Sequence, residues 1–142
     1  MDAQTYLYGI ERIETNIVLL QEELVTLFSL ATSMTAPTDK EPGSSSGVSD
    51  PVGNFGTKLA YRDDRIKGEI DELFRERDER VAAILAVTDV TARKVLYRHY
   101  VNRMKFKDIA VELGYSQQSI SEYRKKGEAE VQKSVQDRTS PY

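Results

Sequence analysis

The sequence predicts an all-α fold. A long antiparallel helical hairpin of coiled-coil character is expected over residues 1–87, and a small domain of short helices over 88–136. Three observations predict it. Apolar residues recur at alternating steps of three and four from residue 10 to residue 34. A Pro/Gly/Ser-rich stretch at 35–55 separates that run from a second helical one. The last third combines short apolar faces with single capping and turn residues.

The first run reads as one helix over about 5–34. Ile10, Ile13, Ile17, Leu20, Leu24, Leu27, Ala31 and Met34 form a heptad seam, with Glu11, Glu14, Glu22 and Glu23 between them. Period-two alternation is absent, which excludes a strand. Leu7, Leu19, Phe28 and Leu30 lie off the seam, so the stripe is wider than a minimal two-stranded one needs. The stretch "TAPTDKEPGSSSGVSDPVGN" cannot continue a helix and reads as a linker. It exceeds the ~2–8 residues usual between helices. Helix resumes over about 56–86, with a stripe of Leu59, Ile66, Ile70, Leu73, Val81, Ile84 and Val87. Arg77 interrupts it where an apolar residue is expected. Opposite charges four apart, such as Asp63 and Lys67, support its outer face. The two helices match in length, ~45 Å each at 1.5 Å per residue. Matched lengths favour a hairpin. Self-pairing of the first helix in a dimer is the alternative, and both hold if two hairpins form a four-helix bundle.

Composition narrows the function classes. The 142 residues include no cysteine, which excludes disulfides and thiolate metal sites. No apolar run approaches the ~20 residues of a membrane helix. The acidic start "MDAQTYLYGIERIE" lacks the pattern of a signal peptide. A soluble cytoplasmic protein with no membrane partner is expected. Residues 1–87 hold 9 Lys/Arg against 16 Asp/Glu, whereas residues 88–142 hold 11 against 7. The basic part points to an anionic partner. No enzyme is expected, and no catalytic, metal or cofactor site. His99 is the only histidine and has no metal partners, so it is expected at the surface or facing a groove. The carboxylates of 63–79 read as helix-surface charges, and "PGSSSG" lacks the lysine of a phosphate-cradling loop.

The segment "TDVTARKVLYRHYVNRM" reads as a helix capped by Thr88 or Asp89. Its apolar face is Val95, Leu96, Tyr100 and Val101, ending at Met104. Six Lys/Arg and no acid lie between Arg93 and Lys107, a run suited to neutralising phosphates. In "KDIAVELGYSQQSISEYRKK", Ile109, Ala110 and Leu113 make one short apolar face. Gly114 supplies a left-handed turn, and Ser116 is placed to cap the next helix. Ile120 and Tyr123 continue the apolar face. The small residue four before the glycine and the β-branched residue six after it meet the steric demands of a helix-turn-helix. The expected core is therefore Ile109, Ala110, Leu113, Gly114, Ile120 and Tyr123. Gln117, Gln118, Ser119, Ser121, Glu122, Arg124 and Lys125 remain outside, with side chains able to bond base edges and phosphates.

The stretch "ARKVLYRHYVNRMKFKDIAVELGYSQQSISEYRKKGEAEV" resembles region 4 of the sigma-70 family, over residues 85–133. The shared pattern is R-x-V-L-x-x-x-Y-V, then D-I-A-x-x-L-G-Y-S, then I-S-x-x-R-x-x-G. Arg103 stands where a turn glycine is usual, and Lys105 where a Ser or Thr helix cap is common. With the linker strings "LATSMTAP" and "SDPVGN", the whole chain is similar to phage and prophage late transcriptional regulators of the ArpU and RinA type. The resemblance implies that residues 116–126 form a recognition helix in the major groove of double-stranded DNA. It implies DNA contacts by Ser116, Gln117, Gln118, Ser119, Ser121, Glu122, Arg124, Lys125 and Lys126, and phosphate contacts by Arg103, Lys105 and Lys107. An aromatic promoter-melting segment is missing, since Phe74 is the only aromatic residue between 62 and 96. That favours a phage-encoded activator working with RNA polymerase in the bacterial cytoplasm. The alternatives are a DNA-packaging adaptor like a small terminase subunit, or a stand-alone sigma-like factor. Homo-oligomerisation through the N-terminal helices is expected, and a flexible tail at 137–142.

Overall fold

An apolar stripe along a helix has to be buried against another element. The computed structural model describes residues 1–35 and 51–139. The described residues are all-helical, with no strand among them. In order they form α1 (Ala3–Thr35), α2 (Pro51–Leu85), α3 (Val90–Leu96), a π-helical turn (Tyr97–Val101), α4 (Phe106–Leu113) and α5 (Gln117–Thr139). Most of the expected linker, 36–50, lies outside the described residues, as do residues 140–142 of the expected tail and the side chain of Met34. Two boundaries differ from expectation. Helix α2 starts at Pro51, inside the stretch expected to be linker. Proline is a breaker only within a helix; in the first turn its missing N–H costs nothing and its fixed φ suits the helix. Helix α5 runs to Thr139, so residues 137–139 are helical and not tail.

The chain divides into two units, one of residues 16–73 and one of residues 1–15 and 74–142. In the first, Ile17 and Leu27 on α1 and Ile66 and Ile70 on α2 are buried. Leu20, Leu24, Ala31, Leu59 and Leu73 are half-buried on the same faces. Arg62 donates to Glu23 at 3.1 Å beside this seam. Both partners are substantially exposed, so the pair adds little.

The second unit holds the larger core. Ala3, Leu7 and Ile10 of α1 pack with Val81, Ala83, Ile84 and Val87, with Ala92 and Leu96 of α3, with Tyr100, and with Val131 and Val135 of α5. Leu7, expected off the seam, is fully buried. Here the start of α1 faces several elements at once, so its buried arc is wider than a seam. Arg77, the interruption in the second stripe, is explained by Glu14: its Nε donates to Glu14 Oε2 at 2.6 Å. Arg103 Nη2 donates to the other oxygen at 2.9 Å. Arg80 Nη1 donates to the carbonyl of Tyr6 at 2.8 Å and lies over the Tyr6 ring. The partners of Arg80 and Arg77 thus rise along α1, from 6 to 14, as α2 is read backwards.

Asp89 caps α3, its Oδ1 accepting the Ala92 N–H at 2.9 Å. Thr88 turns instead to α5, donating its hydroxyl to Glu130 Oε1 at 2.8 Å. The expected single helix to Met104 is interrupted. After Leu96 the chain widens into the π turn, closed by Asn102 N–H on the Tyr97 carbonyl at 3.1 Å. Arg103 then takes a left-handed φ of 61°, the only non-glycine among the described residues to do so. Glycine adopts a positive φ at least cost, and arginine adopts it with strain. Helix α5 crosses α3 at Gly127, where an added Cβ would sit 2.7 Å from Leu96 Cδ1 and 3.4 Å from Ala92 Cβ.

Two predictions follow from these contacts. Leu96 is fully buried and has no room to yield, so Gly127→Ala is expected to destabilise by about 1–3 kcal/mol through overpacking. Gly68, mid-way along α2, has nothing within 4 Å, and Gly68→Ala is expected to stabilise by about 0.5–1 kcal/mol. Urea midpoints of the two variants therefore move in opposite directions. The second prediction concerns acid. The Ala92 N–H, and then Lys126, hold the Asp89 carboxyl below its ordinary 3.8. Bonds from the Thr88 hydroxyl and N–H hold Glu130 below its ordinary 4.5. Both folded values are depressed, so their contribution is present above those ordinary values and is lost as pH falls through the folded ones. Between pH 6 and pH 3 the urea midpoint of an Asp89→Asn/Glu130→Gln variant is expected to fall less steeply than that of the wild type.

Candidate nucleic-acid interface

Helix α4 begins after Lys105, which has extended cap geometry, φ −73° and ψ 147°, and makes no side-chain cap bond. Lysine has no acceptor to offer there. The helix ends at Gly114 in the left-handed region, φ 75° and ψ 29°. Tyr115 N–H bonds the Ala110 carbonyl at 3.0 Å, and Gly114 N–H reaches Val111 at 3.3 Å. This is the paired closure of a Schellman motif, which wants glycine at its left-handed position. Two residues later Ser116 caps α5: its Oγ accepts the Ser119 N–H at 3.1 Å, and its carbonyl accepts Ile120 N–H at 3.0 Å.

This turn brings the expected core together. Ile109, Ala110 and Ile120 are buried in one cluster with Val95 of α3. Leu113 and Tyr123 pack against it half-buried, alongside Met104 and Phe106. Gly114 is exposed at the turn itself. With its back packed this way, α5 presents Gln117, Gln118, Glu122 and Lys125 to solvent, and Ser121 half-exposed between them. Lys105 and Lys107, at the start of α4, are exposed as well. Among the described residues none of the three lysines forms an ion pair.

Five of the expected contacts are engaged inside the molecule, Ser116 among them through its cap on α5. Arg124 Nε donates to Glu128 Oε2 at 3.0 Å, and its guanidinium lies 4.6 Å above the Phe106 ring. Lys126 Nζ pairs with Asp89 Oδ2 at 3.0 Å, and Arg103 with Glu14. Ser119 is half-buried, its hydroxyl 3.0 Å from that of Ser116. Of the other basic residues expected to face phosphates, Arg93 Nε donates to the Val87 carbonyl and Arg98 Nε to Glu112 Oε1. Lys94 remains exposed.

Behind the exposed face lies a polar cluster that sequence reasoning missed. Glu128 is the only buried charged residue among those described. Its Oε2 accepts from the Tyr100 hydroxyl at 2.5 Å and from Arg124, and its Oε1 accepts from Gln4 Nε2 at 3.2 Å. Burial, and then the bond to Glu128, push the Tyr100 phenol far above its ordinary value, so it stays protonated as a donor. The i,i+4 spacing of Arg124 and Glu128 was the one local signal of this cluster. His99, expected at the surface or facing a groove, is half-buried and makes contacts to three stretches of chain. Its ring stacks on Phe106, centroids 3.8 Å apart. Nδ1 faces the Met104 carbonyl at 2.7 Å and Nε2 the Tyr8 hydroxyl at 2.8 Å. A carbonyl only accepts, so Nδ1 is the donor in the bond to Met104. Among the described residues no group of three or more His, Asp or Glu comes together to hold a metal. No helix among them is long and apolar enough to cross a membrane.

The two caps make a matched test. Lys105→Ser supplies the missing acceptor at the start of α4 and is expected to stabilise by about 1 kcal/mol; Ser116→Ala removes one from α5 and is expected to cost about 1 kcal/mol. Chemical denaturation of the two variants checks both signs.

Neither a family model, nor a curated protein, nor a solved structure matches the chain.

Proposed function

We propose that α4, the Gly114 turn and α5 act as a helix-turn-helix that reads double-stranded DNA, with α5 entering the major groove. The start of α1 and the end of α2, with their opposed contacts, belong in this reading to an antiparallel helical hairpin that carries the module. The observation that bears most weight is the exposed row Gln117, Gln118, Ser121, Glu122 and Lys125, on a helix whose opposite side is packed through Ile120. Glutamine can pair with adenine in two hydrogen bonds, and lysine with guanine or phosphate. Lys105 and Lys107, exposed at the start of α4, are available for phosphates. The reading narrows the set expected from sequence. Arg103, Arg124 and Lys126 hold the domain together and position the reading residues.

The biological role proposed is that of a phage late-gene regulator in the bacterial cytoplasm, which binds promoter DNA and recruits RNA polymerase. It rests on the sigma-region-4-like motif and on the lack of aromatic residues for melting DNA.

Footprinting and titration on the DNA flanking its own reading frame test this. Gln118→Ala is expected to weaken binding to the preferred site by about 1–3 kcal/mol, roughly 5- to 150-fold, and to relax preference at one base pair. Lys107→Ala is expected to weaken all sequences alike and to reduce the salt slope by about 0.9. Binding without sequence preference, unchanged by Gln118→Ala, would overturn the reading.

A further inference from the structure

Helix α1 carries a second stripe at heptad spacing that is exposed among the described residues. Within the unit of residues 16–73, Ile17, Leu20, Leu24, Leu27 and Ala31 face inward. One position further on, Val18, Gln21, Val25, Phe28 and Thr32 repeat the same three-and-four spacing. All five are exposed, with Val18 at 51%, Val25 at 66% and Phe28 at 73%. Successive helical residues are ~100° apart, so this second stripe lies about a quarter-turn around the helix from the first. A helix with two adjacent heptad seams has room for a packing partner on each.

The charge pattern says what that second partner is. From residue 16 to residue 35 the only charged side chains are Glu22 and Glu23, and neither lies on the second seam. Glu23 is already paired with Arg62. The outward side of α2 in the same unit is densely charged, with Arg62, Asp64, Arg65, Lys67, Glu69 and Asp71 all exposed. A partner recognised by charge has nothing to grip on the α1 stripe. An identical stripe, by contrast, meets it without burying an unpaired charge and without like-charge repulsion, the condition for a self-complementary twofold interface. Gln21, between Val18 and Val25, suits the same arrangement, since a polar seam residue selects register and copy number at some cost in stability.

We infer that the Val18–Gln21–Val25–Phe28–Thr32 face of α1 packs against the same face of a second copy of this chain, giving a dimer. The stretch Ile17 to Ala31 of the seam for which self-pairing was the alternative to a hairpin is turned inward within the unit of residues 16–73. The inference stands without the DNA-reading proposal, because mass is measured in the absence of DNA.

Sedimentation equilibrium of the full chain, from low to high micromolar concentration, is the test. The wild type is expected at twice its 16.1 kDa. Val25→Glu/Phe28→Glu is expected at a single chain mass, with unchanged circular dichroism. Gln21→Leu is expected to tighten the dimer at least tenfold. It guards against misfolding as an explanation, since a damaged chain does not associate more tightly through this face. A wild type that stays monomeric throughout, a mass well above two chains, or a Gln21→Leu variant with unaltered dissociation overturns the inference. So does a folded Val25→Glu/Phe28→Glu variant that remains a dimer.

Discussion

The unit that carries the candidate interface depends on one buried carboxylate. Glu128 is 9% exposed and sits where α5 passes the π turn and the start of α1. A carboxylate withdrawn from water is tolerable only with donors around it. Here Tyr100, Arg124 and Gln4 supply them, one from each of three separate stretches of chain. The bonds are geometric demands as much as stabilising ones. Tyr100 must stand on the π turn to reach Glu128, and Arg124 must fold back along α5 and over Phe106. Gln4 must lie on the first turn of α1, where Ala3 N–H also bonds Gln132 at 2.6 Å. The exposed row on α5 is aimed by this arrangement, since residues 117–125 and Glu128 share one continuous helix.

The same logic separates structural cations from those available to a partner. Five half-buried arginines, Arg77, Arg80, Arg93, Arg98 and Arg124, bind Glu14, Glu112, Glu128 and two backbone carbonyls with their planar forks, whereas Arg62 and Arg65 are exposed. The described lysines are all exposed, with Lys126 paired to Asp89 and Lys67 to Asp63. Exposed lysines keep their hydration and rotamer freedom until an anion arrives, which suits sequence-independent phosphate contact. The basic bias of residues 88–142 thus overstates the charge on offer, because much of it is matched within the fold.

Legibility in the sequence followed the range of the interaction. Both long helices, the Ala110–Gly114–Ile120 spacing and the Ser116 cap were readable, because each rests on residues within about a turn or two of each other. Arg103 and Lys105 were recognisable as departures from a pattern, and the structure supplies their backbone meaning: a positive φ in one case and an uncapped helix start in the other. The burial of Leu7, the π turn and the bonding partners of His99 were not readable. Each depends on a partner far along the chain, such as Tyr8 for His99. Pro51 was misread because its effect depends on where in a helix it falls.

By itself the sequence determined that this chain is helical, where its apolar faces lie, and which turn brings α4 onto α5. Periodicity, helix caps and a left-handed glycine are local matters of backbone sterics and hydrogen bonding. Tertiary structure alone decided which polar side chains on those helices remain exposed and which are bound internally. Arg124 and Lys125 are neighbours of like charge, yet one is bound to Glu128 and Phe106 and the other is exposed. The difference lies in which side of α5 each occupies once Ile120 is buried and which partner waits there. That is a property of packing, and composition does not contain it.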